Sequence, residues 1–368
     1  MRLFFALTVV LPLCTIAAQA PSYARERASI DSLVSAELSG TPIAGVSAAV
    51  VKGRDTIVMR GWGFADIEND VPVIPASVFR IGSITKQFTS AAIMQLVEQK
   101  KLGLEDSLGA LLPNVPIAWR KVTLRQLLNH TSGIPSYTDL GERWFVRMRE
   151  ELSPDSLLAF TAKDTVNFAP GTKWRYDNTG YVLLGMILDK VTGKKYPQYL
   201  DTQLFRPLGL SSTMYCSTEP IIKHRAQGYR REGPVLSNAY FLAMTQPYSA
   251  GALCSTAGDL VKWTHALHSG NVVSQASLTQ MTTPTGQAIR THYGFGLVVD
   301  SLAGHRRVMH GGGINGFLTE SAYYPNDSLT VIVLTNTSPS PVGRMAENVA
   351  RIVLGLPLQP PQSPRATP

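Results

Sequence analysis

The sequence predicts an α+β fold: one antiparallel sheet built from both chain ends and flanked by helices, with a mostly helical central lobe. Three observations carry this expectation. Runs rich in β-formers, separated by turn residues, cluster near the start and near the end of the chain. From about Phe79 to Leu278 the pattern is mostly helical with long loops. Neither end alone holds enough apolar residues for a comfortable core, which disfavours two separate terminal domains. The sheet lobe is expected over about 25–80 and 290–355, and the helical lobe over about 81–289. A cleft should form where the lobes meet.

The elements follow in order. Met1-Arg2 and the uncharged run Leu3 to Ala18 read as the charged start and apolar stretch of a secretory signal, over residues 1–20. The run is short for a membrane span, which needs about 20 apolar residues. Ala18-Gln19-Ala20 resembles a cleavage box, Pro21 hinders cutting there, and the cut is left between residues 18 and 24. Export to a periplasmic or extracellular space follows, with no membrane span after removal of the signal. Ile30, Leu33, Val34 and Leu38 recur at helical spacing. Val46 to Val51 and Thr56 to Trp62, joined by Lys52-Gly53-Arg54-Asp55, read as a hairpin. Tyr293 to Asp300, Arg306 to His310, Phe317 to Tyr324 and Leu329 to Asn336 read as strands. A last helix is expected over Val342 to Leu354, with Met345, Val349, Ile352 and Val353 on one face. The Pro-rich segment 356–368 reads as a flexible tail, and residues 25–355 as one domain.

Composition narrows the function classes. Hydrophobic residues make up 44% and charged residues 16%, which excludes a disordered, solvated chain. The formal charge of +8 falls to +7 once Arg2 leaves with the signal, and the basic residues are scattered in pairs such as Lys100-Lys101 and Arg306-Arg307. Nucleic-acid binding is not indicated. Of three cysteines, Cys14 lies in the signal; Cys216 and Cys254 are left either as a pair or as two buried thiols.

Chemistry enters with Phe79-Arg80-Ile81-Gly82-Ser83-Ile84-Thr85-Lys86, which opens a helical stretch whose Ile84, Phe88, Ala92 and Leu96 imply burial. Three-residue spacing puts Ser83 and Lys86 on one helix face. Serine needs a neighbouring base, and lysine serves only where burial or nearby charge lowers its pKa. Taken alone, the motif reads first as a capping serine and a solvated lysine. In Tyr176-Asp177-Asn178, Tyr176 and Asn178 are two apart and face one side; a phenol with its pKa lowered by the lysine would be a second proton carrier, and Asn178 would hold Lys86 or a substrate carbonyl. Finally, His310-Gly311-Gly312-Gly313 lies between two predicted strands. A glycine run there leaves backbone N–H groups open, and one of them with that of Ser83 makes a two-donor oxyanion hole, worth roughly 3 kcal/mol per donor. Without those partners it is a flexible hairpin connection.

Ser83-x-x-Lys86, Tyr176-x-Asn178 and His310-Gly311-Gly312, in that order, resemble the serine β-lactamase and penicillin-binding-protein superfamily, and its class C branch with carboxypeptidase, D-aminopeptidase and esterase relatives. Leu124 to Ile134, Ser249-Ala250-Gly251 and Ser255 to Leu260 add to the likeness, which covers about Ile30 to Leu354. The resemblance implies a serine hydrolase without metal or cofactor. Ser83 is its nucleophile, Lys86 or Tyr176 its base, and the N–H groups of Ser83 and Gly313 its oxyanion hole. Its target is a small-molecule or short-peptide substrate, cell-wall fragments included. The chain departs from the lactamase pattern in its third motif. His310 stands where a lysine is usual and Gly311 where a hydroxyl residue is usual, so carboxylate recognition should lose about 1.5–3 kcal/mol. Arg306 or Arg307 could restore the missing charge, although a surface strand position is the expected role for each. An ester, amide or D-amino-acid peptide is therefore expected ahead of efficient β-lactam turnover. There is no G-x-S-x-G elbow, and His265-x-x-His268 lacks the glutamate and third ligand of a zinc site.

Overall fold

The computed structural model describes residues 22–161 and 165–360; the segment expected to be a signal and the last eight residues of the expected tail lie outside them. Its frame is a seven-stranded sheet. The N-terminal strands are β1 (Gly45–Lys52), β2 (Asp55–Asp66) and β3 (Val71–Pro72); the C-terminal strands are β4 (Val298–Leu302), β5 (His305–Ile314), β6 (Phe317–Tyr324) and β7 (Leu329–Thr335). They are ordered β3-β2-β1-β7-β6-β5-β4, and the pairings are antiparallel. The two chain ends meet where β1 pairs β7, with Val46 opposite Thr335 and Lys52 opposite Leu329. Separate terminal domains are thereby ruled out.

The sheet's two faces explain its sequence. On β7, Val331 and Val333 turn to a cluster with Val34, Met345 and Val349, while Ile332 and Leu334 turn to the larger core of the central lobe. Burial on both sides is why the strand reads as an almost unbroken apolar run rather than an alternation. Helices α1 (Ala24–Gly40) and α5 (Val342–Leu354) cover the first face. Against the second lie α2 (Thr85–Glu98) and α4 (Ala257–His268), whose Phe88 and Trp263 stack with ring centroids 3.8 Å apart. Helix α3 (Asn178–Thr192) packs beside α2.

Three features differ from the sequence expectation. The strand expected over Tyr293 to Asp300 begins only at Val298. Gly294 and Gly296 are pressed onto backbone: a Cβ at Gly296, where φ is +68°, would lie 2.5 Å from the Lys86 carbonyl oxygen. The central lobe also holds short strands, among them Phe79–Arg80, Met214–Tyr215 and Leu253–Ser255 in one sheet and the hairpin Tyr229–Glu232/Val235–Asn238 in another. Segments of two to four residues are too short to show a period. Third, the glycine run is not a flexible connection: Gly311, Gly312 and Gly313 are inside β5, opposite Glu320, Thr319 and Leu318. Cys216 and Cys254 form a disulfide with Cα atoms 5.2 Å apart, which resolves that alternative.

Candidate active site

Strand β5 pairs β4 only as far as Met309, so its outer edge is free beyond that point. A tight turn, Gly82–Ile84, fills the space and feeds into α2. The approach is close enough to demand glycine: a Cβ at Gly312 would sit 2.0 Å from the Ile81 carbonyl oxygen, and one at Gly82, where φ is +50°, 2.9 Å from the Gly313 nitrogen. Thr319 Oγ1 donates to the Ile81 carbonyl at 3.1 Å and ties turn to sheet. Ser83 thus stands beside the Gly313 amide, where the oxyanion hole is expected.

Lys86, one turn along α2, is wholly buried, so the solvated-lysine alternative fails. Its Nζ lies 3.1 Å from Ser83 Oγ, 2.8 Å from Asn178 Oδ1 and 2.8 Å from the Ala250 carbonyl oxygen. Burial holds the amine well below ordinary lysine, and the Asp177 carboxylate offsets this only in part. A neutral amine has two hydrogens and one lone pair. In that form, with Asn178 and Ala250 taking the hydrogens, the lone pair would be left for the Ser83 hydroxyl, whereas an ammonium would donate to all three oxygens. Asn178 is held for this role, its Nδ2 donating to Thr138 Oγ1 at 3.0 Å and its backbone N–H to Ser136 Oγ at 3.1 Å.

Tyr176 closes the other side, with Lys86 Nζ 4.7 Å from its ring centroid. Here the expected direction of the pKa is corrected: burial pushes the phenol up, and the neighbouring Ser83 hydroxyl offsets this only partly. Tyr176 is therefore a neutral phenol that can relay a proton, not a phenolate waiting to take one. Of the two groups, only the Lys86 amine has its pKa moved down towards neutral pH.

His310 faces the same chamber. Its Nδ1 lies 2.6 Å from the Gly311 carbonyl oxygen, which can only accept, so Nδ1 carries the proton and Nε2 accepts from the Tyr293 hydroxyl at 2.9 Å. Burial, then the Lys86 charge, lowers its pKa to about 4, leaving it neutral at pH 7. Gly311 needs a correction: a Cβ there would point at Glu320 Oε2, 3.1 Å away. Only its carbonyl serves the site, through His310. Nor does Arg307 supply the charge that His310 lacks, because Asp300 (2.7 Å) and Glu347 (2.9 Å) hold its guanidinium.

Three buried groups are not visible as site residues in the sequence. Tyr293 orients His310. His130 receives the Asp177 backbone N–H on Nδ1 at 3.2 Å and packs against Tyr176, with centroids 4.4 Å apart. Asp177, between the two motif residues, accepts from Ser132 Oγ at 3.2 Å, and burial raises its pKa to about 7. The only sequence signal for Asp177 is an acidic residue set directly before a helix.

Comparison with known proteins agrees with this geometry. The beta-lactamase family profile matches residues 30–355. The chain belongs to the beta-lactamase family. Penicillin-binding protein 4* of Bacillus subtilis (strain 168) is 30% identical over 342 residues, covering 85% of this chain and 73% of the relative. Among solved structures, the octameric penicillin-binding protein homologue from Pyrococcus abyssi is 28% identical with a TM-score of 0.78, covering 89% of this chain and 77% of its own. A D-stereospecific amidohydrolase from Streptomyces is 26% identical, TM-score 0.78, covering 92% of this chain and 100% of its own. This beta-lactamase-family protein thus shares its fold with a D-stereospecific amidohydrolase, a hydrolase with promiscuous acyltransferase activity and penicillin-binding-protein-like members. Among its described residues, no helix is long and apolar enough to cross a membrane.

Proposed function

We propose that the protein is an exported serine hydrolase that forms an acyl-enzyme on Ser83 and cleaves a small ester, amide or D-amino-acid peptide. The observation that carries this reading is the buried Lys86 amine, 3.1 Å from Ser83 Oγ with two other oxygens occupying its hydrogens. Ser83 Oγ passes its proton to Lys86 as it bonds to the substrate carbonyl carbon. The resulting oxyanion is placed against the backbone N–H groups of Ser83 and Gly313. As the tetrahedral centre collapses, the bond to the leaving group breaks. The departing alkoxide or amine takes a proton from Lys86, directly or through the Tyr176 hydroxyl. Water, deprotonated by the same amine, then attacks the ester on Ser83 and frees the acid.

Two observations favour an ester or amide substrate over efficient β-lactam hydrolysis. His310 is neutral and already bonded on both nitrogens, and Arg307 is committed to Asp300 and Glu347. Neither His310 nor Arg307 is therefore free to hold a substrate carboxylate. The Streptomyces neighbour is a D-stereospecific amidohydrolase, which agrees with an amide among the candidates. The test is a comparison of a nitrophenyl ester, a D-amino-acid amide, a D-alanyl dipeptide and a penicillin at equal enzyme concentration. The ester or one of the D-amino-acid substrates should turn over well above the penicillin. Efficient penicillin turnover would favour the lactamase reading, and acylation without turnover would favour a β-lactam or cell-wall-fragment sensor.

A further inference from the structure

A second pocket, of about 660 Å³, lies outside the catalytic chamber; none of Ser83, Lys86, Tyr176, Asn178 or His310 lines it. Its walls include Arg80, Arg225, Gln227 and Asn238, with Tyr240 and Phe241 at the edge. The volume falls in the range that holds small ligands. What sets the pocket apart is Arg80. This side chain is partly buried, yet no carboxylate or other side-chain acceptor among the described residues pairs with its guanidinium. Its near neighbours are the Phe317 ring, 5.9 Å from the guanidinium carbon, and a second cation, Arg225. The more an arginine is withdrawn from water, the more costly an uncompensated charge becomes. Burial first, then Arg225, lowers the Arg80 pKa to about 10, as expected for a cation lacking its counter-ion.

The pocket's own acids do not fill that role. Asp66 is turned to Asn69, whose amide donates at 2.7 Å, and Glu68 accepts from Tyr229 at 2.9 Å and Asn238 at 2.7 Å. Arg225 spends one donor on the Ser217 carbonyl at 3.2 Å and is otherwise exposed. The aromatic edge is real surface: Tyr240 is 44% and Phe241 46% exposed. Two guanidiniums lining one pocket suit a planar oxyanion bound through paired N–H donors, and the exposed rings suit an apolar or aromatic body attached to it.

We propose that this pocket is a second, non-catalytic binding site for a small carboxylate bearing an aromatic or apolar group, with Arg80 and Arg225 receiving the carboxylate. The site is independent of chemistry at Ser83, so it stands or falls apart from the hydrolase reading.

The test uses the full chain carrying Ser83→Ala, so that no turnover intervenes, and calorimetric titration at low salt. The probes are N-acetylphenylalanine in both enantiomers, its neutral amide, and inorganic phosphate. The acid should bind, with the amide weaker by about tenfold or more, since charge-assisted bonds are lost. Phosphate should also bind more weakly than the acid, because it leaves the rings uncovered. Arg80→Gln should weaken the acid by about tenfold or more, and Arg225→Gln should weaken it in the same direction. Arg120→Gln, remote from the pocket, should leave it unchanged. Equal binding of acid and amide, phosphate binding as tightly as the acid, or acid binding indifferent to both pocket variants would each overturn the proposal. Should Arg80→Gln fail to fold, Arg225→Gln and Tyr240→Ala decide, since both side chains reach solvent.

Discussion

Replacing Gly312 by alanine adds one methyl group where the sheet leaves no space for it. The new Cβ would lie 2.0 Å from the Ile81 carbonyl oxygen, 2.3 Å from Thr319 Oγ1 and 3.0 Å from the Ile81 carbonyl carbon. Two of these three atoms are backbone, so rotamer change cannot relieve the clash. Ordinary contact requires β5 and the Ile81–Ser83 turn to separate by roughly 1 Å, and that turn carries the nucleophile. A misplacement of about 1 Å can cost about 100-fold in rate. Overpacking itself costs about 1–3 kcal/mol of stability. Gly313→Ala is the matched control: its Cβ meets only the tip of Leu318 at 3.3 Å, and the backbone N–H is kept. Kinetics with a nitrophenyl ester, beside thermal melts of both variants, should show kcat/KM down about 100-fold for Gly312→Ala and changed only a few-fold for Gly313→Ala. If Gly312→Ala keeps wild-type kcat/KM, the close fit of strand to turn is not what positions Ser83.

Further outcomes follow from the same structure. Asp177 is protonated more readily in the fold than in the unfolded chain, so the stability tied to its protonated form is full below pH 3.8 and lost as pH rises towards about 7. Asp177→Asn should therefore gain on wild type in urea denaturation at pH 8 relative to pH 5, and a pH-independent difference would contradict this. Tyr176→Phe should lower kcat by about 100-fold or more, because it removes the relay but leaves the Lys86 amine near Ser83. Equal activity in a pH–rate profile would remove the phenol from the mechanism. The Cys216–Cys254 bond spans 38 residues, and its loss in the double serine variant should destabilise the chain by up to about 4 kcal/mol. Equal denaturation midpoints with and without reductant would show that the bond contributes nothing.

What the sequence shows and what it hides follow from distance along the chain. Ser83 and Lys86 are one helical turn apart, and the apolar positions around them already announce burial. The main terminal strands are long enough to read as β-rich runs between turn residues, and the join between β1 and β7 follows from the poverty of each end alone. The glycine run is legible as a place of close approach, but its partner, the Ile81 carbonyl, lies more than two hundred residues away and cannot be read. Tyr293 likewise reads as an ordinary aromatic at the start of an expected strand until folding puts its hydroxyl 2.9 Å from His310. The direction of the Tyr176 pKa is misread from sequence because a nearby amine is visible in the motif, whereas the depth of burial around the ring is not.

Acylation of Ser83 offers the most direct measurement. Intact-protein mass spectrometry after treatment with a fluorophosphonate, followed by peptide mapping, should place one adduct on Ser83. It should be absent from Ser83→Ala and slowed by about 100-fold or more in Lys86→Met, which removes the base. An unmodified Ser83 in folded protein, or modification at the wild-type rate without the lysine, would contradict the assignment of Lys86 as the group that makes this serine reactive.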